Sequence, residues 1–418
     1  MGYGWKDKAF DFSAQDRIDC LACHDTTGTY KKFPTGCGHP AYETKQFGGK
    51  TFQPADLSSV AQHVGRTSRA TCGACHFYGG GGDGIKHGEL NSLLVAPSKA
   101  IDVHMDVEGL DYRCTTCHTT VDHVIPGRYY VYPAQNAHRY AVPHDKENLI
   151  GCETCHGAAP HPDSATLNDH VATVSCQACH IPTIGRGGKS TLVGWDWSTA
   201  GKFDENQKFI VKKDAAGNVS YHTMKGDLAW NQSFVPEYRW YTGGMTYHCA
   251  DDPVDAAEVL SMNSPEGAYG LEGAKIFPFK VLRGTQIYDP VTSVLIVPKL
   301  FGPKGMGAYW ADFDWKRSAT AGMAEVGKPF SGEIGFVETE SYWPVTHMVA
   351  PKEESLQCDA CHSRNGRLAQ LGGFYLPGRD ASSVLDTAGW ILVILTLICV
   401  IAHILLRVYF TTMKRERS

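Results

Sequence analysis

The sequence has no basic stretch before its last few residues and no zinc-finger spacing of cysteine and histidine, so it lacks the footprints of a nucleic-acid binder. Strong charge of either sign is missing as well: the formal net charge is -5 over 418 residues. The glycine run Gly79-Gly80-Gly81-Gly82-Asp83-Gly84 lacks the lysine and the strand–helix setting of a phosphate-binding loop. Residues 181–357 lack low-complexity sequence, which argues against a disordered linker there. No charged n-region, apolar h-region and cleavage site precede the first cysteines.

Cysteine is not scarce. There are 15, an odd number that does not suit a simple disulfide framework. Twelve fall in one repeated pattern, C-x-x-C-H: Cys20-Cys23-His24, Cys72-Cys75-His76, Cys114-Cys117-His118, Cys152-Cys155-His156, Cys176-Cys179-His180 and Cys358-Cys361-His362. Chance at this composition would give about 0.02 matches. The pattern is the attachment site of a c-type haem, in which two thiols add to the vinyl groups and the histidine turns onto the iron. A zinc site would gather four ligands, with no histidine fixed after each second cysteine. Six covalent haem c groups are therefore expected, and the glycine run is read as letting backbone approach a porphyrin closely.

Five motifs crowd residues 20–180, and the sixth stands alone. The expected organisation is a haem-dense domain (1–180), a haem-free region of irregular structure and small strands (181–345), a last haem segment (346–384), a membrane helix (385–410) and a basic tail (411–418). The fold class is a multihaem cytochrome c: loops and short helices around haems, a few short strands and one C-terminal transmembrane helix. The span is carried by Ala388–Leu406, 19 residues without charge. At 1.5 Å per residue it covers about 29 Å, a bilayer core. Trp390 and Tyr409 sit near its ends, and Arg407, Lys414, Arg415 and Arg417 follow, so the tail reads as cytoplasmic and the haem region as periplasmic. Cys399 and His403 share a face of this helix. His403 reads as packing or snorkelling rather than as a ligand.

Thirteen histidines lie outside the motifs, enough to give each iron a second imidazole. A six-coordinate iron shuttles electrons, whereas an open or weakly held position permits chemistry. Composition alone does not pair them.

The stretches GYGWKD, CLACHDTTGTYKKFPTG, SRATCGACHFYGGGGDGIKHG, IDVHM, CQACHIP, WDWSTAGK, VPEYRWY and HMVAPKEESLQCDACHSRNGRL resemble the octahaem tetrathionate reductase family of multihaem cytochromes c, over residues 2–378. The resemblance implies distal ligands at His39, His87, His104, His123, His161, His170 and His347, with His63, His138, His144, His222 and His248 less secure. It implies that Lys31 or Lys32 caps a catalytic haem whose own motif lies upstream of Met1. It also implies eight haems in a full-length protein, of which this sequence would be an N-terminally shortened part. The expected role is electron transfer with a quinone-linked membrane subunit, such as a b-type cytochrome, and with periplasmic redox partners. The alternative is reduction of a small oxyanion (tetrathionate, nitrite or hydroxylamine) at the lysine-capped haem. Cys37, beside His39, and Cys249 and Cys399 read as structural.

Overall fold

The structure, a computed structural model, describes residues 19–33, 40–47, 49–121, 123, 125 and 150–416. In a helix, positions i, i+3 and i+4 share one face. One helical turn of C-x-x-C-H therefore points both thiols and the imidazole the same way. All six motifs fold into such turns: Cys20–His24, Arg69–His76, Cys114–Cys117, Cys152–His156, Cys176–His180 and Cys358–Cys361. His118 and His362 occupy the C-caps of theirs.

Turns this short do not persist alone. Asp19 caps the first by accepting from the Leu21 N–H at 3.1 Å. Ser68 and Thr71 form a reciprocal capping box on the second. Ser175 Oγ accepts from the Ala178 N–H at 3.3 Å on the fifth. Such a cap contributes about 1 kcal/mol. Between the motifs the chain runs in turns, with Phe77, Leu94 and Met348 as a small apolar nucleus.

The region after residue 180 is more regular than its sequence suggests. Its backbone is one 15-residue strand, Lys275–Asp289. Gly335–Pro344 pairs antiparallel along it, from Phe279 opposite Pro344 to Tyr288 opposite Gly335. Thr191–Asp196 pairs parallel on its other side, and Gly226–Asn231, Val219–His222 and Val211–Lys213 continue the sheet outward. Gly284 makes the parallel pairing possible, because a Cβ there would overlap the Trp195 carbonyl. The strand KIFPFKV is buried at nearly every position, so both its faces are covered. Tyr241, Met245, Phe277, Phe279, Val281 and Tyr342 form the larger core on it. Ile287, Ile296, Ala319 and Met323 form a second, under the helix Trp315–Glu325.

The chain divides into two compact units, residues 1–355 and 356–418. Residues 346–355 are held in the first: the buried Arg186 guanidinium donates to the Met348 carbonyl at 2.9 Å and pairs with Glu354 at 2.9 Å. The second contains the sixth motif and the helix Ser383–Glu416, 34 residues that are long and apolar enough to cross a membrane. Trp390, Leu395 and Tyr409 on this helix are exposed.

Candidate functional site

Each motif turn presents two thiols and an imidazole, and some imidazoles are also oriented. His24 Nδ1 meets the Gly65 carbonyl at 2.8 Å. His362 Nδ1 meets the Pro377 carbonyl at 3.1 Å. A carbonyl only accepts, so each Nδ1 carries the proton and Nε2 is left as the donor to a metal. Among the described residues no cysteine is in a disulfide. The Cys72 and Cys114 thiols touch by hydrogen bond. So do those of Cys152 and Cys176. The second and third attachment sites therefore share an edge, and so do the fourth and fifth.

Among the described residues, a second histidine stands opposite four of the motif histidines. The ring centroids of His24 and His123 are 6.4 Å apart, of His156 and His104 6.1 Å, of His118 and His347 6.3 Å, and of His180 and His161 6.1 Å. An ion held between two imidazole nitrogens at about 2.0 Å each, with the ring centre roughly 1.1 Å behind each nitrogen, puts the centroids about 6.2 Å apart. The four spacings match that span. The interplanar angles fall into two classes, 74° and 68° for the first two pairs and 23° and 7° for the others. His123 itself, and Met348 next to His347, have φ of 64° and 61°, a left-handed backbone that non-glycine residues adopt at a cost of about 1–3 kcal/mol and that clusters at functional sites.

Residues 192–365 match the family model described as "Cytochrome c bacterial". The octaheme cytochrome c from Shewanella oneidensis, known by its crystal structure, is 41% identical, with a TM-score of 0.74; the match covers 89% of this chain and 78% of that one. The chain belongs to the multihaem cytochromes c. No curated protein matches it. Covalent haem c is the group this family implies, and the residues fit it. Paired thiols and an imidazole lie on one face of each turn, and four sites have a second imidazole at an iron-spanning distance.

At His76, His180 and His87 the surroundings favour the neutral imidazole, which is the ligating form. Burial lowers His76, and the nearby charges of His347, Lys32 and Lys86 lower it further. Burial also lowers His180, with His161, His156 and His104 adding to the effect. His87 is drawn down to about 4 by burial, with Glu89 opposing and Lys86, His347 and Lys280 assisting. Its ring lies edge-on to Trp343, centroids 5.6 Å apart.

Of the other residues singled out in the sequence, His170 donates from Nδ1 to the Thr166 carbonyl at 2.6 Å. His63 does the same to the Ser59 carbonyl at 2.7 Å. Both have Nε2 as their outward nitrogen. His222 differs: its Nδ1 accepts the Met224 N–H at 3.0 Å, so in the neutral ring Nε2 holds the proton and is not a donor to a metal. His248 has a buried Nε2 without a hydrogen bond among the described residues and lies by the short sheet Met245–Tyr247 with Asn263–Pro265. Lys32 Nζ sits 2.8 Å from Cys75 Sγ, at the second attachment site, and both Lys31 and Lys32 are exposed. His39, His138, His144 and Cys37 lie outside the described residues. Cys249, Cys399 and His403 are exposed.

Two residues of the site escape sequence reasoning. Glu89 is 1% exposed and Lys280 is 0% exposed. Glu89 Oε1 lies 3.8 Å from His87 Nδ1 and 3.9 Å from His347 Nδ1. Lys280 Nζ donates to the carbonyls of Ile85 and Lys86, just before His87. The available signals were a glutamate two residues after a histidine in KHGEL and a lone lysine inside the apolar run KIFPFKV.

Proposed function

We propose that this protein is a membrane-anchored electron-transfer cytochrome. Its haem domain lies on the periplasmic face, held by the helix Ser383–Glu416, with a cytoplasmic C-terminus. It exchanges electrons between a quinone-linked membrane subunit, such as a b-type cytochrome, and periplasmic redox partners. Nucleic acid is not a partner. The observation that carries this reading is the set of four histidine pairs at 6.1–6.4 Å. Two imidazoles close both axial positions, which favours one-electron shuttling over substrate binding. Haem c supplies reversible one-electron chemistry when bound.

The polypeptide supplies continuity between the sites. The thiols of the second and third motifs touch, as do those of the fourth and fifth. His104, paired with His156, stacks on Tyr112 at 6.1 Å, two residues before the third motif. The helices of the first and second motifs pack together. The five sites of the first unit thus form a sequence of neighbours. The test is electronic absorption and potentiometry of the membrane-extracted cytochrome. Low-spin haems that reduce reversibly with a quinol analogue support the role, and haems that do not exchange electrons with quinol overturn it.

A second reading is a reductase of a small oxyanion (tetrathionate, nitrite or hydroxylamine), as the likeness to the octahaem tetrathionate reductase family suggests. The observation beside it is an amine within the haem-dense region, Lys32 Nζ, 2.8 Å from the attachment sulfur of Cys75. A substrate-dependent spectral shift lost in Lys32→Ala supports it. No shift and no turnover with any of the three rejects it.

A further inference from the structure

Glu89 is the buried residue that the conduit leaves unused. It lies between two histidines: Oε1 is 3.8 Å from His87 Nδ1 and 3.9 Å from His347 Nδ1. The Thr346 N–H donates to the same oxygen at 3.4 Å. Oε2 is buried and has no hydrogen-bond partner among the described residues. An isolated buried carboxylate is costly unless neighbouring donors or charges compensate it. Here the compensation comes from the Thr346 N–H and from the electrostatic pull of the two imidazole edges, which lie at ion-pair rather than hydrogen-bond distance. His347 faces His118 across 6.3 Å, its Nδ1 near Glu89 and 3.1 Å from Thr346 Oγ1. Its Nε2 is left to address the haem of the third motif. His87 stands to Glu89 as His347 does.

We propose that Glu89 is a shared positioning residue, one carboxylate that orients two axial histidines and strengthens both as donors, so that two haems have their reduction potentials lowered together. This rests on the bis-imidazole reading above for His347, and on the distal-ligand role expected of His87 from the sequence. A carboxylate behind a ligating imidazole fixes the ring and raises its basicity. A stronger donor stabilises the oxidised iron more than the reduced iron. The fixed negative charge works in the same direction. Sharing one carboxylate makes the two potentials respond as a pair, which separate partners would not.

The test is potentiometry of the fully loaded cytochrome, monitored by absorption and EPR, on wild type, Glu89→Gln, Glu89→Asp and His347→Ala. In Glu89→Gln all haems should stay low-spin, while two reduction equilibria shift about tenfold toward the reduced form, 59 mV for a one-electron couple. Glu89→Asp keeps the charge and should recover most of that shift. If the glutamine variant does not fold, the aspartate variant still decides, because withdrawing the carboxylate by one methylene should move the same two haems upward by a smaller amount. No shift, or a shift at one haem alone, overturns the proposal. His347→Ala tests the underlying reading separately. Loss of one low-spin signal sustains that reading, and an unchanged low-spin set refutes it whatever Glu89 does.

Discussion

Replacing Lys280 by methionine should alter how stability responds to pH. The side chain is 0% exposed, and its amine donates to the Ile85 and Lys86 carbonyls. Burial draws its pKa down to about 7 from 10.5, with Glu89 pulling partly the other way. Below pH 7 both folded and unfolded chains hold the proton, and the folded chain carries the full cost of a buried charge. At about 1.4 kcal/mol per pKa unit that cost is about 5 kcal/mol. Between pH 7 and pH 10.5 the unfolded chain binds a proton that the folded chain lacks, so stability rises with pH. The integrated gain from pH 7 to pH 9 is about 2 kcal/mol. Methionine removes it. Methionine also leaves two buried carbonyls without a donor, at about 1–3 kcal/mol each, but that offset does not depend on pH. Guanidinium unfolding of the haem-loaded protein, followed by tryptophan fluorescence at pH 6, 7, 8 and 9, gives the difference. Wild type minus Lys280→Met should climb by about 2 kcal/mol from pH 7 to pH 9. A flat difference would refute the reasoning.

The imidazole planes lead to a spectroscopic expectation: His118/His347 and His161/His180, at 23° and 7°, should give rhombic low-spin EPR signals, and His24/His123 and His104/His156, at 74° and 68°, strongly anisotropic ones. A single class of signal would contradict the geometry. Arg186→Met removes donors to the Ala100 and Met348 carbonyls, at 2.6 and 2.9 Å, which tie down the loops of His104 and His347. It should cost about 3 kcal/mol and disturb two low-spin haems, read by denaturation and EPR. Gly378 has φ of 85°, and a Cβ there would overlap the His362 carbonyl. Gly378→Ala should therefore lower haem loading at the sixth site alone, read by mass spectrometry of the attached haem.

The attachment turns were legible because C-x-x-C-H encodes its own geometry: spacing alone puts both thiols and the imidazole on one helical face. The apolar C-terminal helix was equally local. The histidine pairing was not, since His347 meets His118 only after the chain has built the sheet between them. The long central strand was not legible because it contains Pro278 and Gly284, residue types that ordinarily weaken or end a strand. Gly284 is the residue that admits the neighbouring strand. Pro278 pairs with Tyr238, and its carbonyl accepts the Val345 N–H at 3.0 Å. Lys280 was hidden for a related reason. In a strand covered on both faces no position is reserved for solvent, so a lysine there is buried and must find carbonyls.

The central claim is that four axial pairs hold iron. An anomalous-scattering map of the haem-loaded crystal, collected at the iron edge, tests it most directly. Iron is expected midway between His24 and His123, His104 and His156, His118 and His347, and His161 and His180, about 2 Å from a nitrogen of each ring. Iron displaced from those midpoints, or one of these histidines turned away from its iron, would contradict it.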